Sequence, residues 1–132
     1  MFGVAENYQE FHKDGNGFYK RALKAVDDPK YNNEMIYNIA CMAIEKFVMS
    51  YLGTIKSLPY NHTLTDLAEA MEQHVEMENG FYDTMKKLDS YQMICAFDTY
   101  DKKEIDKNAI DEIMYVMKNI KTAVDGKLGG MV

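Results

Sequence analysis

The sequence is poor in the residues that interrupt helices or cross-link a fold. It has two prolines, eight glycines, two cysteines and no tryptophan in 132 residues. The few helix breakers, eleven methionines and near absence of runs rich in valine or threonine favour helices over strands. A chain of this length can bury its own core without staples, so we interpret residues 1–132 as a single domain with a core at about 18–125.

Cysteines, leader signals and long apolar runs are also scarce. Cys41 and Cys95 both lie in apolar helical context. The start of the chain, MFGVAENYQEF, has no basic segment and no apolar core. We therefore expect a cytoplasmic protein with two buried free thiols, with a disulfide as the alternative. Inspection of the sequence finds no apolar run that approaches the roughly 18 residues of a membrane span, so no membrane contact is expected.

Positive charge is missing from one part of the chain. Between Tyr60 and Met85 there is no lysine or arginine, while six acids occur there: Asp66, Glu69, Glu72, Glu76, Glu78 and Asp83. Affinity for nucleic acid comes largely from cationic side chains, so nucleic acid is not the expected partner. Two interpretations stay open, a solvated helix face and a surface that meets a basic partner.

Apolar spacing predicts five helical segments. They cover about 18–26, 34–56, a stretch opening at 63–66, 81–97 and 106–125, with loops at 27–33 and 98–106. Residues 4–13 form at most a turn or two, because Gly15-Asn16-Gly17 is expected to interrupt that helix. Asn32 or Asn33 can cap the second segment, and GKLGGMV should be a fraying tail. The prediction is an all-α, up-and-down four-helix bundle with a short additional helix.

The second segment is apolar on nearly every side. Its stripe includes Ile36, Ala40, Ala43 and Phe47, and Met35, Met42, Ile44, Val48 and Leu52 widen it. Such a helix either sits centrally in the monomer or carries a dimer surface in addition to a core face.

The stretch LPYNHTLTDL at 58–67 is interpreted mainly as a helix boundary. Pro59 cannot continue the second helix, and it disfavours helical geometry at Leu58. Thr63 stands three residues before Asp66, which approximates a capping box for the third helix. Asn79-Gly80 is a further cap and turn signal. Only His62 is left without a role in this interpretation.

Catalytic and metal-binding patterns find no support in the spacing. No glutamate stands three residues before a histidine, as a dinuclear carboxylate site in a helical bundle requires. His74 and Glu78 are four apart and are the best metal pair, but they lack further ligands, so no metal site or cofactor is predicted. The cysteines lie in apolar segments that disfavour a thiolate, and no catalytic residue is assigned. His12, beside the glycine-rich stretch, is expected at the surface.

A longer run, residues 18–71, resembles the HEPN family (higher eukaryotes and prokaryotes nucleotide-binding domain). The resemblance lies in the helix ending in an Ala/Leu stripe, the loop with Tyr31, the motif Ala43-Ile-Glu45-Lys46, and the His-x-Leu step at His62. It implies a bundle that is often a homodimer. It also implies partnership with minimal nucleotidyltransferases in some members and ribonuclease activity in others.

The ribonuclease branch requires an arginine and a histidine within one short motif. Here the only arginine is Arg21 and the next histidine is His62, so that activity is not carried over. The resemblance places His62 before the leucine of helix three, where its ring can bond to a backbone group or to Glu45. Its other interpretation is a ligand contact with Asn61 and Glu45 at the end of the bundle.

The expected function is therefore a dimeric binding module, an accessory or regulatory subunit for a nucleotide-handling partner such as a minimal nucleotidyltransferase, with a nucleotide as a further ligand. One alternative is a divergent HEPN ribonuclease or nucleotidyl-transfer enzyme. The other is a bundle that binds a small molecule or a metal.

Overall fold

The computed structural model describes residues 4–59, 61–93 and 104–129. In these residues the regular elements are helices only: α1 (Val4–Ala25), α2 (Asn33–Thr54), α3 (Leu64–Glu72), α4 (Phe81–Met93) and α5 (Lys107–Gly129). Four are of 13 to 23 residues, and α3 has nine. The predicted all-α bundle with one short helix is confirmed.

Helix α2 is the centre of the bundle. It packs on α1 and α5 and, less extensively, on α3, while α4 packs mainly against α3. Thirteen of its 22 residues are buried, and one hydrophobic cluster joins it to the other four helices described. Its apolar circumference is thus explained by a central position. Met35 and Met42 nevertheless stay 44% and 38% exposed.

Helix α1 corrects the prediction of a glycine interruption. It is continuous from Val4 to Ala25, through Gly15-Asn16-Gly17. Gly15 is buried against α2, and a Cβ atom built on it would lie 2.8 Å from Cδ1 of Phe47. The glycine therefore permits a close approach of two helices, and packing outweighs its low helix propensity.

The end of α2 also differs from the prediction. The helix ends at Thr54, with Ile55 as its C-cap, several residues before Pro59. Lys56 adopts a left-handed conformation with φ of 55°, and the Ser57 N–H donates to the Leu52 carbonyl at 2.9 Å. This hydrogen bond satisfies a carbonyl group in the last turn of α2, where carbonyls have no intrahelical donor. A left-handed turn, not the proline, terminates α2.

Helix α2, although it contains Glu45 and Lys46, is the one helix in the described residues with the length and composition of a membrane span. Its mean hydropathy reaches 1.2 over an 18-residue window, and 67% of that window is buried inside the protein. Core helices and signal sequences share these properties, so the length and composition of α2 are weak evidence for a span. The expectation of no membrane contact stays a prediction.

The junction before α3 is built as predicted. Thr63 is the N-cap, and its hydroxyl accepts from the Asp66 N–H at 3.1 Å and donates to the Asp66 carboxylate at 2.7 Å. Helix α3 stops at Glu72, earlier than the apolar stripe suggested, although Val75 is buried. Glu72 and Glu76 would stand four apart in a longer helix, where like charges repel.

Helices α4 and α5 follow their predicted starts. Gly80 has φ of +84° in the turn before Phe81, consistent with the predicted turn signal. The predicted end of α4 at residue 97, Cys95 and most of the loop 98–106 lie outside the described residues. Helix α5 extends to Gly129, so the predicted fraying tail is wrong for residues 126–129, where Leu128 is 9% exposed and packs on the core. The rest of that tail, residues 130–132, lies outside the described residues.

Candidate functional site

The α2–α3 junction brings together two of the three predicted ligand-binding residues. Nδ1 of His62 lies 3.1 Å from Oε2 of Glu45, which is the glutamate partner expected for this histidine. The side chains are 43% and 26% exposed, so the pair is a surface contact between α2 and the cap of α3. A ligand role for the pair stays a prediction.

Asn61 does not join that pair in a common pocket. It lines a shallow depression of about 260 Å³ together with Ser57, Asp66 and Gln73, and neither Glu45 nor His62 belongs to its lining. Glu45 lies nine residues before the end of α2 at Thr54, so His62 meets it alongside the helix and not at the predicted end of the bundle, and Asn61 lines a separate depression.

A buried carboxylate lies behind this junction. Asp89 of α4 is 3% exposed. It accepts hydrogen bonds from the backbone N–H groups of Leu64 at 2.8 Å and Thr65 at 2.6 Å, and from the Thr65 hydroxyl. The first N–H groups of a helix have no intrahelical acceptor, and a negative charge there is favoured by the helix dipole. Asp89 thus completes the start of α3 from a neighbouring helix.

Two further polar groups are buried between α2 and α4. Tyr37 donates its hydroxyl to the Leu88 carbonyl, and its ring meets Tyr91 edge-on at 5.8 Å. Burial raises the pKa of Tyr37 far above its ordinary value, and the adjacent Cys41 adds to this shift. Burial likewise raises the pKa of the Cys41 thiol to about 12. A thiol that stays protonated is a poor nucleophile, in agreement with the assignment of Cys41 as a buried free cysteine.

The other two histidines make contacts that the sequence did not reveal. His12 is half-buried and not a simple surface residue: its Nε2 lies 2.7 Å from Oδ1 of Asp125, and its ring meets Phe47 edge-on at 5.9 Å. Lys121 donates to the same carboxylate. The continuous α1 carries His12 to the C-terminal part of α5, which explains why the interrupted helix led to a different expectation.

His74 and Glu78 do not form a metal pair. Nε2 of His74 lies 3.0 Å from Oγ of Ser57, while Glu78 accepts from the Tyr115 hydroxyl at 3.0 Å and from Asn119 at 3.3 Å. Within the described ranges 4–59, 61–93 and 104–129, no group of three His, Cys, Asp or Glu side chains is placed to hold a metal ion.

A further concavity lies between α5 and the segment that connects α3 to α4. This α5 groove has a volume of about 500 Å³. Its principal lining residues are Met77, Phe81, Val116 and Ala123 on the apolar side and Glu76, Glu78, Glu112, Tyr115, Asn119 and Thr122 on the polar side. The arrangement suits the binding of cationic and apolar groups and disfavours phosphate.

Sequence reasoning missed both Asp89 and the α5 groove. Asp89 was detectable in part, because it stands four residues after Met85 and beside Leu88, on the apolar side of α4. An acid at such a position needs hydrogen-bond partners, although the spacing cannot name them. The groove had only an indirect signal, the run of acids without bases, because its other wall comes from α5, more than thirty residues away in the chain.

Comparison of this chain with family models, curated proteins and solved structures finds no match.

Proposed function

We propose that this protein is a HEPN-like helical binding module, a dimeric cytoplasmic accessory or regulatory subunit for a nucleotide-handling partner such as a minimal nucleotidyltransferase. One observation carries the binding role. His62 and Glu45, from separate segments of the chain, lie 3.1 Å apart, and both side chains stay partly exposed. The fold thus presents a polar pair that a ligand can reach.

The class of partner in this proposal rests on the resemblance over residues 18–71, and the position of His62 is compatible with it. The ring is partly exposed beside α2, so a nucleotide or a partner side chain can reach it while Glu45 orients it. In this proposal Glu45 and His62 form the ligand contact, and Asn61 contributes from the adjacent depression.

Complex formation tests the proposal directly. We expect a minimal nucleotidyltransferase gene beside the gene for this chain, and the two proteins, co-expressed, should elute as one complex with a stoichiometry measurable by light scattering. Calorimetric titration with ATP and Mg²⁺ should give heat of binding for the complex.

Two results would contradict the proposal. The first is that the two purified proteins, mixed at tens of micromolar, elute separately. A concentration of this order would detect even a weak complex. The second is cleavage of single-stranded RNA by the purified chain that persists through repeated purification and disappears on one substitution, which would favour the divergent ribonuclease.

A further inference from the structure

The α5 groove combines an apolar floor with an acidic margin. Met77 and Phe81 form one side of the floor, and Val116 and Ala123 of α5 form the other. Phe81 and Val116 belong to the hydrophobic core, so the floor is part of a packed structure and is preformed. A volume of about 500 Å³ lies in the range of sites that accept a few side chains or a small ligand.

The charged side chains that line the groove are all acidic. Glu76, Glu78 and Glu112 line it, and among the described residues of its lining there is no lysine or arginine. Lys87 of α4 pairs with one of these glutamates: its Nζ lies 3.3 Å from Oε1 of Glu112.

One of the three carboxylates is held in place by the opposite wall. The Tyr115 hydroxyl and the Asn119 amide of α5 both donate to Glu78. Tyr115 is nevertheless 54% exposed, more than any other large apolar or aromatic side chain at the described surface. A fixed carboxylate beside an exposed aromatic ring is a favourable arrangement for an ammonium or guanidinium group, through ion pairing and cation–π contact.

From this charge complementarity we infer that the α5 groove binds a protein segment that carries lysine or arginine together with apolar side chains. The methylene stems and apolar residues of the segment pack on Phe81, Val116 and Ala123, and its cationic ends reach Glu76 and Glu78, the latter beside the Tyr115 ring. The inference rests on the proposed binding function and adds to it the place of contact and the chemistry of the partner.

The test uses a defined probe. A fluorescein-labelled, amphipathic helical peptide of about four turns, with leucine on one face and lysine on the other, is titrated with the full chain and followed by fluorescence anisotropy. A second peptide has glutamate in place of every lysine. We expect saturable binding of the lysine peptide that weakens at high salt, and binding of the glutamate peptide that is weaker by about tenfold or more.

Matched variants locate the binding site. Glu76→Lys reverses a charge on the groove, and Glu72→Lys makes the same change at an exposed position of α3 outside it. Ala123→Phe fills the floor without changing charge. We expect Glu76→Lys and Ala123→Phe each to weaken binding about five- to tenfold, with Glu72→Lys within about twofold of the unmodified protein. Circular dichroism melting confirms that each variant is folded.

Three outcomes would overturn the inference. They are no binding of the lysine peptide, an equal loss for Glu72→Lys and Glu76→Lys, and unchanged binding by a folded Ala123→Phe. Displacement of the peptide by spermidine at concentrations equal to that of the peptide would also overturn it, because a free polyamine would then be the preferred ligand.

The co-expressed nucleotidyltransferase separates this inference from the proposed function. A complex that forms equally well with the unmodified chain and with Glu76→Lys and Ala123→Phe would keep the accessory role and remove the groove from it. Failure of the unmodified chain to form any complex, with the lysine peptide still bound in the groove, would remove the nucleotidyltransferase partner and keep the groove.

Discussion

Asp89 and His62 illustrate how burial decides the importance of a polar residue in this protein. Asp89 is almost fully buried and accepts bonds from two backbone donors at the start of α3. His62 makes one contact, with Glu45, at the surface. Exposed pairs contribute little because water competes with them, whereas a buried donor that loses its acceptor keeps the full desolvation cost.

Removal of the Asp89 carboxylate should therefore be costly. Asp89→Ala leaves the buried N–H group of Leu64 without its acceptor, and we expect a loss of at least about 1–3 kcal/mol in the free energy of unfolding. Asp89→Asn keeps one acceptor oxygen and should lose less. Urea denaturation measures both, with Asp83→Asn, at an exposed position on the same helix, as the control. Equal stability of Asp89→Ala and the control would disprove this role.

Thr63 and His62 should separate in the same measurement. Thr63→Ala removes the N-cap of α3, for which we expect a loss of about 0.5–2 kcal/mol. His62→Ala removes an exposed contact and should cost about 0.2–1 kcal/mol. A structural role for His62 predicts unchanged affinity for the nucleotidyltransferase partner. Unchanged melting with lost affinity would instead identify His62 as a ligand-binding residue.

Between elements, the contact of α1 with α2 depends on a glycine. Residues 8, 11, 15, 18, 22 and 25 recur at three- and four-residue steps along α1, and the structure places them toward the core. Gly15 is the member of this stripe that faces the ring of Phe47, which is fully buried. Gly17 is exposed, and a Cβ atom added to it would have no neighbour within 4 Å.

The two glycines should respond in opposite directions to the same substitution. Gly17→Ala should stabilise the protein by about 0.5–1 kcal/mol, because alanine favours the helix and nothing obstructs its methyl group. Gly15→Ala should destabilise it by about 1–3 kcal/mol, since the added methyl group would overlap the Phe47 ring. Thermal unfolding compares them directly. An increase in stability for Gly15→Ala would contradict this prediction, because it would mean that α1 and α2 accommodate the methyl group without a loss of free energy of unfolding.

The contribution of the contact between α1 and the end of α5 to the stability of the fold should change with pH in the acid range. Burial disfavours ionisation of Asp125, but hydrogen bonds from His12 and Lys121 outweigh it and lower the pKa of the carboxyl group. A lowered pKa means that the ionised form stabilises the fold. This contribution is complete above the ordinary aspartate pKa of about 3.9 and is lost as the pH falls through the lower pKa of the folded state.

Asp125→Asn removes this titration. As the pH falls below the ordinary aspartate pKa of about 3.9, the free energy of unfolding of the unmodified protein should decrease more steeply than that of the variant. Denaturant titrations at closely spaced pH values give the two slopes. Parallel slopes would show that Asp125 does not contribute to the acid dependence.

For the molecule as a whole, the proposed dimer must use surface that the bundle leaves open. Met35 and Met42 stand seven residues apart on α2 and are exposed, with the partly buried Ile39 between them. Helical positions seven apart lie on the same face, so the three residues form one apolar stripe. Burial of apolar surface contributes about 25 cal/mol per Å² before the cost of association.

Sedimentation tests this stripe. We expect the unmodified protein to sediment as a dimer at tens of micromolar, which is on the order of the dissociation constant of a weak dimer. The double variant Met35→Lys, Met42→Lys should sediment as a monomer. Leu58→Lys introduces the same charge at another exposed apolar residue, 44% exposed, and should remain dimeric. A monomer for the unmodified protein, or a dimer for the double variant, would exclude this interface.

Local sequence patterns are sufficient for the helical class, for most of α2 and for the starts of α3, α4 and α5. These features depend on periodicity and capping: the stripe of α2 and the Thr63–Asp66 cap are each readable within a few residues. The sequence also indicated Glu45 as a partner of His62, through the resemblance over residues 18–71.

Contacts between distant segments of the chain determine the remaining features, and the folded arrangement is needed to find them. Gly15 looked like a helix breaker until Phe47 of α2 was placed against it, and His12 looked superficial until Asp125 of α5 reached it. The acceptors of the first N–H groups of α3 come from Asp89, 25 residues beyond Leu64. Such contacts outweigh local propensity because packing and buried hydrogen bonds contribute more free energy than the helix preference of a single residue.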